Sequence, residues 1–209
     1  MLIDTLGTGY PIIFIHGWAM NKDIFMPFFE KLDKNKYQLL FFDLPHMDEN
    51  DNWEECIKQI NDAIQDHNFD FFDIFGWSLG GHVAIEIYRL NKDKVTKIIF
   101  TSSTPIFVND HDWEYGLNEE IFDNFANLIM KDHQKTLLNF FNLQLLGQDK
   151  RKETLNFLTN NVSTKSVDIN SLKFYLSHMK KNNFLTLMHN VNCDLYLIAG
   201  DQDKIVPIE

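Results

Sequence analysis

Short apolar runs recur along the first half of the chain and once more near its end. Gly, Asp or Pro residues bound these runs, a pattern that is typical of strands buried on both faces of a sheet. The pattern predicts five such strands, at Ile12 to Ile15, Leu39 to Phe42, Phe71 to Phe75, Ile98 to Phe100 and Leu195 to Ala199.

Segments with helical spacing lie between these runs. The clearest follows Asp51, and Glu54 stands three residues after it as a capping pair. Its apolar residues share one face: Trp53, Cys56, Ile57, Ile60 and Ile64. A second helix is predicted from just after Ser78 to Leu90. Strands that alternate with helices indicate an α/β protein with a mostly parallel, doubly wound sheet.

Residues 110–181 interrupt this alternation. The stretch is charged and helix-patterned throughout, and no strand run occurs in it. Its apolar faces are formed by Ile121, Phe122, Phe125, Leu128 and Ile129, and by Leu137, Leu138, Phe141 and Leu145. We interpret residues 1–109 as the first part of the core, residues 110–181 as a helical lid insertion, and residues 182–209 as the core resumed.

Charge and composition exclude several classes of function. The formal net charge of −11 argues against nucleic-acid binding, because phosphate contacts need clustered Lys and Arg. The sequence shows no secretory signal and no apolar run of membrane-spanning length, so we expect a soluble cytoplasmic protein. Cys56 and Cys193 suit neither a disulfide framework nor a metal-ligand spacing, and we expect no metal and no organic cofactor.

The chemistry is concentrated in a G-x-S-x-G motif, Gly76-Trp77-Ser78-Leu79-Gly80, which follows an apolar strand and precedes a helix. In that position the motif forms a sharp turn that projects the serine hydroxyl out of the sheet. We predict that Ser78 is a nucleophile. The alternative is a chance match in which Ser78 only caps the helix.

A second element, His16-Gly17-Trp18, directly follows the first apolar strand. A sharp turn at Gly17 would direct the backbone N–H of Trp18 inward, beside the N–H of Leu79, to form an oxyanion hole. His16 itself is better interpreted as a residue that orients this loop than as the catalytic base.

Three segments carry a resemblance to the α/β-hydrolase superfamily: residues 14–18, 43–45 and 76–81. The segment 102–107, followed by Asp112-Trp113, is similar in addition to the pimeloyl-acyl-carrier-protein methyl ester esterases of biotin synthesis. This resemblance implies a serine carboxylesterase that demethylates a pimeloyl methyl ester through an acyl-enzyme. The alternatives are a short-chain carboxylesterase, a thioesterase, a carbon–carbon-bond hydrolase or a non-catalytic binding module.

The resemblance also implies a catalytic acid and a catalytic histidine. Asp203, in Gly200-Asp201-Gln202-Asp203, matches the acid, and Asp201 is a weaker match. The alternative is that both carboxylates belong only to a strand-end loop. The expected chain order is serine, acid, histidine, yet no histidine follows Asp203. The expectation is therefore that the final strand-helix unit is missing from this sequence and that the 209-residue chain is nearly inactive. A base from the cap, His111, is a weaker alternative.

Substrate contacts are predicted for aromatic and basic residues. An apolar acyl channel would be lined by Trp18, Trp77, Phe107 and Phe141, each of which a core position explains equally well. The resemblance also implies that an acidic carrier protein docks at basic lid residues, here Lys131, Lys135, Lys150 and Arg151. A solvated helix face explains these residues as well.

Overall fold

The computed structural model describes residues 3–111, 113–163 and 168–208, so Asp112 and Glu209 lie outside the described residues. Its sheet contains β1 (Ile3–Gly7), β2 (Tyr10–Ile15), β3 (Tyr37–Phe42), β4 (Phe72–Trp77), β5 (Val95–Thr101) and β6 (Asp194–Ile198). The strand order is β1-β3-β2-β4-β5-β6, and every neighbouring pair is parallel except β1 with β3. The predicted mostly parallel α/β sheet is confirmed, with all five predicted strands present.

Strand β1 is the element of the sheet that the hydrophobic pattern does not predict. It forms an edge and pairs with β3 in antiparallel register. Its sequence includes Asp4 and Thr5, and Thr5 is exposed. An edge strand needs neither two buried faces nor an apolar run, so the criterion that finds the central strands does not find this one.

Two hydrophobic clusters lie on opposite faces of the sheet, because alternate residues of each strand point to opposite sides. Ile13, Ile15 and Leu40 belong to the larger cluster. Phe14 and Phe41 belong to the smaller one, and their rings lie 5.2 Å apart between centroids. The larger cluster also includes the buried sides of the helices that follow β3 and β4.

These helices begin close to where the sequence predicts. Helix α1 (Met26–Phe29) is a single turn, α2 spans Trp53–Gln65 and α3 spans Leu79–Leu90. The cap of α2 differs from the predicted one: Asn52, not Asp51, accepts a hydrogen bond from the N–H of Glu55 at 2.8 Å. An Asn side chain satisfies an unpaired N–H of the first turn as well as Asp does.

Between β5 and β6 the described residues form helices and two isolated bridges. The helices are α4 (Glu119–Lys131), α5 (His133–Gln144), α6 (Arg151–Phe157), α7 (Ile169–Lys181) and α8 (Leu185–His189), with a π-helical turn at Leu158–Ser163. The boundaries of a lid at residues 110–181 stay a prediction. None of the helices in the described part of the chain combines the length and apolar character that a bilayer crossing requires.

Strand β6 corrects the expectation that all five predicted strands are buried on both faces. All five of its residues are exposed, and Leu197 retains 68% of its accessible surface. The reason is its place in the sheet: β6 pairs with β5 on one side, and among the described residues no strand pairs with its other side. It therefore presents an apolar, open edge.

Replacing Leu197 by lysine is expected to reduce self-association of the chain. An open apolar edge strand is a template for pairing with a second chain, and an edge lysine disfavours that pairing. Sedimentation velocity over a range of concentrations measures the effect. The matched control is Leu90→Lys, at a position 46% exposed at the end of α3. Equal self-association of the two variants would contradict the assignment of β6 as the adhesive edge.

Candidate active site

Ser78 lies at the turn between β4 and α3, in an unusual backbone conformation. Its φ is 53° and its ψ is −120°, a region that a residue with a side chain adopts only when its surroundings impose it. The N–H of Ser78 donates to the carbonyl oxygen of Thr101 at 3.0 Å. Its side chain makes no capping hydrogen bond to α3, which differs from the alternative of a simple helix cap.

Close packing explains the two glycines of the motif. A Cβ on Gly76 would lie 2.6 Å from the carbonyl oxygen of Gly80. A Cβ on Gly80 would overlap the carbonyl oxygen of Ile15, at the end of β2. The turn is tight because the backbones of β2, β4 and α3 meet there without side chains between them.

We expect Gly80→Ala to destabilise the fold by about 3 kcal/mol, because the new methyl group meets rigid backbone at the end of β2. Chemical denaturation gives the free energy of unfolding. The control is Ala84→Gly one turn later in α3, where loss of a buried methyl and of helix propensity costs about 1–2 kcal/mol. A Gly80→Ala variant as stable as the wild type would contradict the described packing.

The loop after β2 lies directly against Ser78. A Cβ on Gly17 would be 3.2 Å from the Cβ of Ser78 and 3.3 Å from the carbonyl oxygen of Trp77. Leu79 is the first residue of α3, and the first N–H groups of a helix have no acceptor within it. Their partial positive charge favours an anion beside Ser78. The structure therefore brings the predicted oxyanion segment, Trp18 and Leu79 next to the predicted nucleophile.

His16 is fully engaged in holding this loop. Its Nδ1 lies 2.8 Å from the carbonyl oxygen of Gly17, and its Nε2 accepts from the N–H of Leu44 at 3.0 Å. Because Nε2 accepts, Nδ1 carries the proton and donates to Gly17. Burial lowers the pKa of His16, and the hydrogen bond to Gly17 opposes that shift. A neutral imidazole with a hydrogen bond at each ring nitrogen fits the predicted orienting role.

The side chain of Trp18 joins the loop to the helices that follow β5. Its indole Nε1 donates to the carbonyl oxygen of Leu172, on α7, at 3.1 Å. Its ring packs edge-on against Phe125 of α4 and Phe140 of α5, with centroids 5.4 Å away in each pair. Three helices thus fix the residue whose backbone N–H is predicted to bind the oxyanion.

Ser78 opens into a cavity of about 1250 Å³. Seven residues are predicted for catalysis, the oxyanion hole or the acyl channel, and four of them line it: Trp18, Trp77, Ser78 and Asp203. Leu79 is fully buried and is not part of the wall. The structure does not bring Phe107 and Phe141 to the cavity wall. They are 1% and 0% exposed and belong to the hydrophobic core, because their helix and loop turn these rings towards other apolar side chains.

Asp203 lies in the loop after β6, on the cavity wall. Its Oδ1 accepts hydrogen bonds from the N–H groups of Ile205 at 2.8 Å and Val206 at 3.0 Å. These bonds fix the carboxylate as a turn cap. Asp201 and Ser102 also line the cavity.

No histidine among the described residues lines the cavity. His82, on α3, and His178, on α7, are buried together, and their nearest nitrogens lie 3.4 Å apart. His111 is exposed and does not line the cavity. Within the described chain, the cavity wall therefore includes the predicted nucleophile Ser78 and the predicted acid Asp203 but no imidazole.

The four basic residues predicted to dock a carrier separate into two pairs. Lys131, at the end of α4, and Lys135, in the first turn of α5, line the cavity. Lys150 and Arg151 stand at the start of α6, away from the cavity wall. Arg151 donates to the Oδ1 of Asn142 at 2.8 Å, which ties α6 to α5.

A metal site is not indicated in the described part of the chain, where no three His, Cys, Asp or Glu residues form a ligand cluster.

Sequence reasoning missed the part that α7 plays, since the bond from Trp18 to Leu172 uses a backbone carbonyl that no motif marks. It also gave no role to the paired serines after β5. A repeated small polar residue at a strand end was the available signal.

Comparison with known proteins places these features in a family. Residues 10–209 match the family described as alpha/beta hydrolase fold. The chain is 31% identical to the pimeloyl-[acyl-carrier protein] methyl ester esterase of Legionella pneumophila (strain Paris), over 99% of this chain and 81% of that protein. It is 28% identical to the protein of the same name from Nitrosomonas europaea, over 98% of this chain and 82% of that protein.

Solved structures agree on the fold. The esterase EaEST from Exiguobacterium antarcticum superposes with a TM-score of 0.83 at 19% identity, covering 99% of this chain and 79% of that one. The bromoperoxidase from Bacillus anthracis gives a TM-score of 0.84 at 17% identity, covering 98% and 78%.

Proposed function

The chain belongs to the α/β-hydrolase fold family, and we propose that it is a serine carboxylesterase that removes the methyl group from a pimeloyl methyl ester carried on acyl-carrier protein. The observation that carries the proposal is Ser78, in a left-handed turn, facing a large cavity beside the Gly17 loop. The relatives named as esterases of this ester supply the substrate class.

In the proposed reaction the Ser78 Oγ attacks the ester carbonyl carbon while a base removes the hydroxyl proton. The carbonyl oxygen becomes an oxyanion, which the N–H groups of Trp18 and Leu79 stabilise by hydrogen bonds. The proton then passes to the leaving oxygen, and methanol departs. Water adds to the acyl-enzyme by the same route, which releases the free carboxylate and restores Ser78.

Asp203 takes the role of the acid in this scheme. A carboxylate that accepts from the imidazolium stabilises it and holds the imidazole in one tautomer. The hydrogen bonds from Ile205 and Val206 to Oδ1 fix the carboxylate on the cavity wall and leave Oδ2 as the oxygen for a base. Because the described cavity wall contains no histidine, the experiments below supply imidazole in solution.

The cavity suits a long acyl chain that is attached to an anionic carrier. Trp18, Phe125 and Phe140 provide an apolar wall, whereas Lys131 and Lys135 place two ammonium groups on the same cavity. We propose that this pair, together with Lys150 and Arg151, contacts the acidic carrier protein and its prosthetic arm. In a chain of net charge −11, these two pairs of basic residues are positions that attract an anionic partner.

The experiment follows the carrier-linked methyl ester by intact mass, in buffer that contains imidazole. We expect conversion of the methyl ester to the acid, faster for the carrier-linked ester than for free monomethyl pimelate. Lys131→Glu with Lys135→Glu should remove this preference. The control Lys92→Glu, at an exposed position beyond the end of α3 opposite Ser78, should keep it. Conversion at the same rate by Ser78→Ala would refute the proposed esterase.

A further inference from the structure

The carbonyl oxygen of Ser78 receives a side-chain hydrogen bond from outside its own motif. The hydroxyl of Ser103, just after β5, donates to this oxygen at 2.7 Å. The N–H of Gly81 donates to the same oxygen at 2.9 Å. Together with the bond from the N–H of Ser78 to Thr101, this bond anchors both backbone polar groups of Ser78, its N–H and its carbonyl, to the end of β5.

Such anchoring matters because the backbone of Ser78 does not keep its conformation unaided. A residue with a Cβ at φ 53° and ψ −120° persists only where neighbouring groups over-determine it. Two of the groups that do so, the Thr101 carbonyl and the Ser103 hydroxyl, lie within three residues of each other. The direction of the Ser78 side chain therefore depends on residues 101–103, at the end of β5.

The segment 101–103 is itself held in a defined conformation. Ser102 has a φ of 43°, and its N–H donates to the carbonyl oxygen of Ile198, the last residue of β6, at 2.8 Å. This left-handed residue turns the chain so that Ser102 lines the cavity while the Ser103 hydroxyl reaches the Ser78 carbonyl. Ser102 of the serine pair therefore faces the cavity, and Ser103 faces the backbone turn at Ser78.

The same contact accounts for Gly81, which lies beyond the G-x-S-x-G motif. A Cβ on Gly81 would overlap the hydroxyl oxygen of Ser103, and it would lie 2.8 Å from the Cβ of Ser103. Glycine at this position therefore leaves room for the Ser103 side chain beside α3. The second glycine after the nucleophile and the serine pair after β5 belong to one arrangement.

We propose that Ser103 is a positioning residue for the reaction, holding the Ser78 carbonyl so that the Ser78 hydroxyl faces the ester. Ser103 does not line the cavity, unlike Ser102, and acts through the Ser78 backbone. The inference rests on the proposed function for its catalytic consequence. Its structural part, the anchoring of the backbone turn at Ser78, is measurable without catalysis.

The first test is hydrogen exchange by mass spectrometry on the segment that contains Ser78 and Gly81, using the 209-residue chain. Ser103→Ala should speed exchange of their amide hydrogens about tenfold, because loss of one buried hydrogen bond raises the population of the opened turn. Ser102→Ala is the matched control and should leave exchange unchanged. Ser103→Thr, which keeps the hydroxyl, should restore protection.

The second test is p-nitrophenyl ester hydrolysis in imidazole, with the rate of Ser78→Ala subtracted. Ser103→Ala should lower kcat about tenfold with KM unchanged, because the alignment of the nucleophile changes and the cavity wall does not. Ser103→Thr should recover kcat. A variant that merely loses stability would lose signal in proportion to its unfolded fraction, which circular dichroism measures.

The outcomes separate the two proposals. Unchanged exchange in Ser103→Ala, or a raised KM with unchanged kcat, overturns the positioning role while Ser78-dependent hydrolysis still supports the esterase. Hydrolysis that is equal in wild type and Ser78→Ala overturns the proposed function, and the exchange experiment then decides the anchoring alone.

Discussion

Imidazole in solution is expected to raise p-nitrophenyl ester hydrolysis by this chain about a hundredfold, the lower range of what a positioned general base contributes. The cavity wall that the described residues form includes Ser78 and Asp203 but no imidazole. A soluble imidazole that enters the cavity of about 1250 Å³ supplies a base where the described cavity wall has none. The rate should rise with imidazole concentration and saturate.

The control for this prediction is Ser78→Ala, which should show only the slow background that imidazole produces with the ester in solution. N-methylimidazole, which lacks the N–H that donates to the acid, should rescue less well. Its inferiority should disappear in Asp203→Asn if Asp203 orients the base. A rescue of equal size in the wild type and in Ser78→Ala would contradict a nucleophilic role for Ser78.

Acidification from pH 6.5 to pH 4 is expected to destabilise the fold by about 3 kcal/mol through His82 alone. His82 and His178 join α3 to α7 in a buried chain of hydrogen bonds. The Nε2 of His82 donates to the carbonyl oxygen of Thr104 at 2.9 Å. Its Nδ1 lies 3.4 Å from the Nε2 of His178, whose Nδ1 lies 3.0 Å from the amide nitrogen of Asn182.

Both imidazoles are neutral in this chain of bonds. Each is a single tautomer, because Thr104 only accepts and the Asn182 amide nitrogen only donates. Burial lowers the pKa of His82 to about 4, against an opposing effect of the Thr104 bond. Burial, with the neighbouring His82, lowers the pKa of His178 to about 2. Trp53 stacks on His178 with centroids 3.4 Å apart, and no acid contributes to either shift.

The direction in which stability changes with pH follows from whether the folded or the unfolded chain binds the proton at the higher pH. Below pH 6.5 the unfolded chain protonates these histidines, whereas the folded chain does so only near their lowered pKa values. Stability that is fully present above pH 6.5 is therefore lost as the pH falls towards 4. His16, whose pKa burial also lowers, adds to the loss in the same direction.

Denaturant unfolding at a series of pH values measures this dependence. His178→Gln should flatten the stability profile between pH 6.5 and pH 4, because one buried titrating group is gone. His189→Gln is the control, since His189 is exposed at the end of α8, and this variant should keep the wild-type profile. A wild-type profile that is flat over this interval would contradict two neutral buried histidines.

The extent to which sequence predicts this molecule depends on whether a pattern is local. The central strands and the helix after Ser78 follow from apolar runs and the glycine motif, both local. Strand β1 lacks an apolar run because it is an edge, and the exposure of β6 depends on what lies beside it in the sheet. A run of apolar residues alone carries neither fact.

The candidate site shows the same division. Ser78, Trp18 and Leu79 come together because their motifs follow the carboxyl ends of β2 and β4, which are neighbouring parallel strands. Phe107 and Phe141 were predicted from residue type alone, and aromatic rings suit a core as well as a channel. The bond from Ser103 to Ser78 joins residues 25 apart in sequence, a distance over which no periodicity operates.

The most direct test of the central claim, that Ser78 is the nucleophile of an esterase, is to find the acyl group on it. The chain is mixed with the p-nitrophenyl ester in imidazole, quenched in acid and digested, and the peptide that contains Ser78 is sequenced by mass spectrometry. We predict the acyl mass on Ser78, and its absence from Ser78→Ala. Turnover with no adduct on Ser78, or with the acyl group on another residue, would contradict the account.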